Sequence, residues 1–591
     1  MRKTKFLFGV ILSTALIFQG CNKEELQTVD DTRQSENIYN TDGVPDGMMK
    51  LGKKLENPYS MANMKKAFAQ TTTLKSAAED LQPTHLYIRF LPETTEEITI
   101  LTEDSTLKLY DYPFDYEIIE DGQYYHDPSI PLDKFTWLYT VVEPDYEFPN
   151  VKYEILEEIY LPEESEEEAE LKSLAFTGNL PDGNLKSTMA SKYKPTGQIT
   201  LQDNSSNTEP GLRNVQIRLR NWFRIDEVYT NGSGSFIAEE NFRGEVDIKI
   251  IFTNSHYKMR STLVNLFDNI DYKIANEVKS YKLVICREDR TGSAPSGWNW
   301  KKDNELWAYA TISNAVEDYY GYCSTENIGT PPNTIRIWAN SNKKDKSWGG
   351  SAPMFSHGMK YYTLNWDKWW KYATNVLYIP VTNVLMNVFQ WFLPDMIINF
   401  NRNSIENSND LYETVFHELA HASHFNKVGA GFWDNYINYM VNEGSYGDGN
   451  GKDFGLVSIS EAWGFHMGWY LTQQKYVTNA LVSVNASERF VPLQRGNASN
   501  SIYRVVNSSG VITRYEGWIP AGILHDLMDN GTDVVRTGFT DNAGTFTNQE
   551  FFNSLEKDVR SPQQFRDRLM SKTSNRDQAD VNTLFEAYYF N

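Results

Sequence analysis

Apolar and polar positions change their rhythm along this chain. Val215-Gln216-Ile217-Arg218-Leu219-Arg220 alternates strictly, the period of a strand with one buried face. Leu86-Tyr87-Ile88-Arg89-Phe90-Leu91 is also strand-like. Thr196-Gly197-Gln198-Ile199-Thr200-Leu201 opens a compact β segment through Phe252, and Thr230-Asn231-Gly232-Ser233-Gly234-Ser235-Phe236 reads as a tight turn into a strand. From about His256 the pattern becomes mixed. It predicts a helix over 305–320, a short apolar strand over 395–400 and a helix over 514–527. Leu411, Val415, Leu419 and Ala422 follow the 3, 4 spacing of a buried helical stripe. Asp410 with Glu413 reads as a capping box, so helix is expected from about Leu411, with Gly429 and Gly431 marking its stop. Ser458 or Ser460 can cap a later helix on which Glu461, Gly464 and Gly468 share one stripe.

These shifts divide the chain. Arg2, Lys3 and Lys5 precede an apolar run from Phe6 to Phe18, too short for a membrane span, so residues 1–20 read as an export signal. Residues 21–80 are polar, which suits a tether with a short helix around Met61 to Ala67. A β-rich α+β domain with an acidic linker is expected over 81–190, a β-sandwich over 191–255, and a mainly helical domain with a mixed sheet over 256–591. The expected fold class is multidomain α+β, with β-rich N-terminal modules ahead of that helical domain.

Charge narrows the partners. Lys and Arg total 56 and Asp and Glu 78, a balance of 56 − 78 = −22, which argues against nucleic acid or an anionic membrane surface. Val376 to Leu393 is broken by Pro380, Thr382, Asn383, Asn387 and Gln390, so it is no span either. After Cys21 only Cys286 and Cys323 remain, enough for one bridge at most and not for a disulfide framework.

The candidate chemistry sits in His417-Glu418-Leu419-Ala420-His421. Two histidines four residues apart lie on one helical face and can share a Zn²⁺, while the glutamate between them faces a metal-bound water as general base. A third protein ligand is required. His424 stands about 10.5 Å along the axis from His417, too far to share the ion, and reads as a pocket-wall residue. A third histidine after a glycine break would need Gly at 424 and His at 427, where the chain has His424 and Lys427. Glu461 is favoured, because glycines beside one buried acid suggest a close helix neighbour. Glu443, in a Gly-, Asn- and Asp-rich run, competes with it.

With its HExxH helix and a Ser-Glu-Ala-Trp setting around Glu461, the chain resembles the gluzincin group of zinc metallopeptidases over about 334–591. The resemblance implies a zincin metallopeptidase domain holding one catalytic Zn²⁺ on His417, His421 and Glu461, with Glu418 as general base. It also implies an edge strand near 395–400 that binds peptide, although the residues themselves suit a plain core strand equally well, and an oxyanion stabiliser for which Tyr515 and His525 are the candidates. Residues 196–252 resemble a transthyretin-like carboxypeptidase-regulatory module. Phe18-Gln19-Gly20-Cys21 resembles a lipobox, which implies lipidation at Cys21, and the following Asn22-Lys23-Glu24-Glu25 resembles a surface-export tag of Bacteroidota. The expectation is a zinc endopeptidase on the cell surface, lipid-anchored in the outer membrane and acting on extracellular protein or peptide. The alternative is a non-catalytic binding lipoprotein that captures peptide or glycan, with the zincin core as scaffold. Intact Glu418 separates the two, since a scaffold needs no general base.

Overall fold

A computed structural model describes residues 48–180, 192–260, 271–342, 349–369, 393–401, 406–443, 446, 449, 451–476, 503–506, 512–516, 519–530 and 539–590, apart from a few single positions within them. The signal, Cys21 and the first part of the tether lie outside these residues. From Met48 the chain is already folded, which shortens the expected tether. Strand β1 (Lys50–Lys54) is followed by α1 (Met61–Gln70), β2 (His85–Leu91), α2 (Thr95–Glu103), β3 (Tyr116–Glu120), β4 (Leu138–Val142), β5 (Lys152–Ile159) and α3 (Glu167–Phe176). β1 pairs with β3, and β2 lies between β4 and β5. Ser60 caps α1 through the amide of Asn63, and Met64, Ala67 and Phe68 bury one face of that helix with Tyr59 and Ala169. Apolar residues four apart need a partner surface, and α3 supplies it.

The sandwich is longer than expected. β6 (Thr196–Leu201), β7 (Gln216–Asn221), β8 (Arg224–Tyr229), β9 (Ser235–Ile237) and β10 (Val246–Ile251) are joined, beyond a detour through β11 (Tyr257–Arg260), by β12 (Asp271–Glu277), β13 (Ser280–Cys286) and β14 (Asn299–Lys302). The two sheets are ordered β12-β10-β7-β8 and β14-β13-β6-β9. Ile217, Leu219, Ile248 and Ile250 of one share a core with Ile199, Leu201, Leu283 and Ile285 of the other. The polar positions of β7 do not face water. The Arg218 and Arg220 guanidiniums lie 4.8 and 5.6 Å from the Tyr110 ring centre, so the N-terminal module covers that face.

The C-terminal region is mainly helical. It runs through α4 (Asn304–Thr325), β15 (Ile335–Asn342), β16 (Gly349–Ser351), α5 (Phe355–Gly358), β17 (Met396–Asn401), α6 (Ser408–Val428), α7 (Ala430–Glu443) and α8 (Phe454–Tyr476). A hairpin of β18 (Tyr503–Val506) and β19 (Ile512–Glu516) follows, then α9 (Ile523–Asp526), α10 (Asn548–Ser554), α11 (Pro562–Lys572) and α12 (Gln578–Ala587). The helix expected over 514–527 is therefore corrected to the end of a strand and a single helical turn. Ile512-Thr513-Arg514-Tyr515-Glu516 suits the hairpin, and Pro520 cannot carry a helix across into the later turn. The mixed sheet has the order β11-β15-β17-β16, the first three strands parallel and β16 antiparallel. β17 is thus an interior strand, buried along its whole length, the plain core strand its residues allow and not the edge the resemblance implies; β16 takes the edge among the described residues. Cys286 and Cys323 are both free and buried. Among the described residues no helix is long and apolar enough to cross a membrane.

Candidate metal centre

α6 carries the HExxH residues, and its apolar stripe of Leu411, Val415, Leu419 and Ala422 is fully buried. Its start differs from expectation. The helix begins at Ser408 with Asn407 as N-cap, and the Asp410–Glu413 box is not formed. The sandwich loop after β6 caps it instead: the Ser408 amide donates to Asn204 Oδ1 at 2.9 Å and the Asn409 amide to Ser205 Oγ at 3.0 Å. The Ser408 hydroxyl donates to Asp203 Oδ1 at 2.5 Å. With four amides unsatisfied at any helix start, donors reached from another module serve as well as a local side chain. Gly429 ends α6 in a left-handed conformation at φ 83°, which glycine adopts without strain.

α8 packs along α6, and glycine permits the approach. A methyl group at Gly464 would lie 2.9 Å from His417 Nε2 and from His421 Cε1, and one at Gly468 would lie 2.9 Å from the Glu413 carbonyl oxygen. Ser458 and Ser460 sit inside α8, not at its start, so neither caps it. The close approach carries Glu461 to the two histidines. His417 Nε2 and His421 Nε2 are 3.1 Å apart, Glu461 Oε2 is 3.4 Å from the first and Oε1 3.6 Å from the second. Donors about 2.0 to 2.1 Å from one tetrahedral ion stand about 3.3 to 3.4 Å from one another, and the two nitrogens and the Glu461 carboxylate, which meets each imidazole through a different oxygen, lie near that spacing. Glu418 also offers an oxygen in a group with His417 and His421 whose ligand atoms lie within 4.8 Å of one another. Glu461 is not in that group, yet one of its oxygens approaches each imidazole more closely than the 4.8 Å limit, and as third donor it would leave Glu418 free to face a metal-bound water.

The electrostatics separate the two acids. Burial pushes the Glu418 carboxyl up to about 8, the neighbouring Glu461 charge adding and His417 opposing. Burial would also lift Glu461, but the imidazoles of His421 and His417 outweigh it and hold that carboxyl well below the usual carboxylate range. Gly350 of β16 lies against Glu418, where a methyl group would come 2.6 Å from Oε1. The edge strand and the general-base candidate are therefore in contact.

The remaining candidates are placed as follows. Glu443 is the exposed last residue of α7. His424 is buried between the rings of Phe432 and Trp433, with Ser460 Oγ 3.3 Å from its Nδ1; burial, with the nearby His421, takes it down to about 3. His525 is wholly buried against Trp469, and Asp529 Oδ2 lies 3.6 Å from its Nε2, a position closed to solvent. Tyr515 lies on β19, and its side chain is outside the described residues. Sequence reasoning missed Tyr436 and Tyr446, whose hydroxyls donate to Glu461 Oε1 at 2.5 Å and Oε2 at 2.9 Å. Nothing in the pattern distinguishes these two among 35 tyrosines. Neither a scan against protein-family models nor a search of curated proteins finds a match.

Proposed function

We propose that the chain is a single-zinc metallopeptidase of gluzincin type, acting on protein or peptide outside the cell from a lipid anchor at Cys21. One observation carries the reading: an oxygen of the buried Glu461 lies within 3.6 Å of each of the paired His417 and His421 imidazoles, with Glu418 grouped beside them. Zinc held there supplies Lewis acidity, lowering the pKa of water to about 7 and polarising the scissile carbonyl. Glu418 takes the proton of the attacking water and delivers it to the amine nitrogen as the C–N bond breaks. The glycine-rich strand β16 favours an extended substrate, since backbone pairing at an edge tolerates many side chains. The lipid anchor rests on the lipobox-like sequence alone.

The test is Glu418→Gln. The variant should bind zinc as the wild type does and lose hydrolysis by about 10² to 10⁴-fold, the usual effect of removing a general base. Peptide digests compared by N-terminal sequencing would read this, and equal, chelator-insensitive cleavage by both proteins would defeat the assignment.

A further inference from the structure

Ligand histidines in metal sites usually donate their second ring N–H to a carboxylate or carbonyl, which fixes the ring. His421 departs from this. Its Nδ1 is buried and, among the described residues, meets no hydrogen-bond partner. The imidazoles are steadied by rings instead: Phe465 stands edge-on to His417 at 4.7 Å, and Trp433 and Tyr436 each lie 6.1 Å from His421. Ring contacts limit tilt but give no directed hold.

The directed hydrogen bonds converge on the third donor. Glu461 is 2% exposed, and each of its oxygens has one phenol and one imidazole beside it. Oε1 accepts from Tyr436 at 2.5 Å and faces His421; Oε2 accepts from Tyr446 at 2.9 Å and faces His417. A carboxylate oxygen has two acceptor positions, so a phenol on each leaves one toward the imidazoles. Rotation of the Glu461 side chain would break both bonds at once. The phenols come from different segments, Tyr436 from α7 and Tyr446 from the stretch after it, so they brace the carboxylate independently of α8. We infer that Tyr436 and Tyr446 are positioning residues that clamp the Glu461 carboxylate against His417 and His421 and thereby set the chain's metal affinity. This rests on the metal reading above.

The test uses full-length chain stripped by a chelator, then titrated with Zn²⁺ and Co²⁺ against a chromophoric competitor. Tyr446→Phe and Tyr436→Phe should each bind about 10 to 100-fold more weakly, the range for losing a group that orients a ligand, and the Co²⁺ visible bands should shift. Tyr470→Phe is the control, since that phenol on α8 donates to Glu326 and not to Glu461; its affinity and spectrum should match wild type. If buried Tyr436→Phe fails to fold, the half-buried Tyr446 carries the test. Wild-type affinity and spectrum in Tyr446→Phe would overturn the clamp while leaving the metal site standing. A wild type that takes up no stoichiometric metal would overturn both.

Discussion

The two halves of α6 are held by opposite means. At its start, several small polar groups of the sandwich loop reach across to two amides in partly exposed positions and to the buried Ser408 hydroxyl. Around His417 to His424 almost everything is buried, and α8 comes close because Gly464 and Gly468 carry no side chain. The two amide bonds of the first fastening are replaceable, since water can partly supply them. The second depends on missing atoms and on where one carboxylate sits. Damage at the metal half should therefore abolish the site while sparing the fold, and damage at the cap should weaken the fold while sparing the site.

The strongest challenge to that contrast is removal of a donor. Glu461→Gln should weaken zinc binding by more than the roughly 10 to 100-fold expected for a supporting group, whereas Glu443→Gln, exposed at the end of α7, should leave one zinc per chain. Metal analysis after dialysis against a weak chelator reads the difference. Retention by the first and loss by the second would move the third donor out of α8. Next comes Gly464→Ala. Its methyl group would press on both imidazoles, yet alanine favours a helix over glycine by roughly 1 kcal/mol. The expected outcome is lost metal affinity in a metal-free chain that melts no lower than wild type. Unchanged zinc affinity would show that α8 can slide away from α6.

The same contrast explains what the sequence discloses. His417, Glu418 and His421 are legible because one helix sets their spacing, and Glu461 because its glycines announce a close neighbour. The β-rich modules ahead of a helical region with a mixed sheet also follow from local periodicity. What escaped depends on distant partners. The cap of α6 comes from residues about 200 positions earlier, so Asp410 and Glu413 imitate a box that the fold does not use. β17 has the pattern of any short apolar strand, and only the presence of β16 decides that it is interior. The sandwich outlasts residue 255 because β11 leaves for another sheet before the remaining strands return. Tyr436 and Tyr446 acquire a role only through the carboxylate they meet.

Acid should act through α8, away from the imidazoles. Burial, opposed by a hydrogen bond with Asn548, lowers His466 on α8 to about 4, below the ordinary imidazole value of about 6.5. As pH falls, the unfolded chain takes up the proton first. Stability is thus unaffected above about 6.5 and is lost from there down toward 4, by up to about 3 kcal/mol from this group. Urea unfolding of metal-free wild type and His466→Gln at several pH values should show a shallower acid loss in the variant. Parallel curves would mean that His466 is not protonated more readily on unfolding.

The smallest effect belongs to the cap. Asn204→Ala and Ser205→Ala each remove the acceptor of one amide at the start of α6, a change that typically costs about 1 kcal/mol, and less where water can take over. Ser408 stands nine residues, about 13.5 Å along the axis, from His417. Between them the buried stripe of Leu411 and Val415 keeps the helix in register with the core. A frayed first turn therefore need not move either imidazole. Both variants should unfold at slightly lower urea concentration and bind zinc within about twofold of wild type, the twofold limit being well under the roughly 1.4 kcal/mol of a tenfold change. Thermal or urea melts of the stripped chain and the same competitive zinc titration measure the two quantities separately. If cap variants lost metal in proportion to stability, the two halves of α6 would be one cooperative unit, and the sandwich would be a working part of the metal centre.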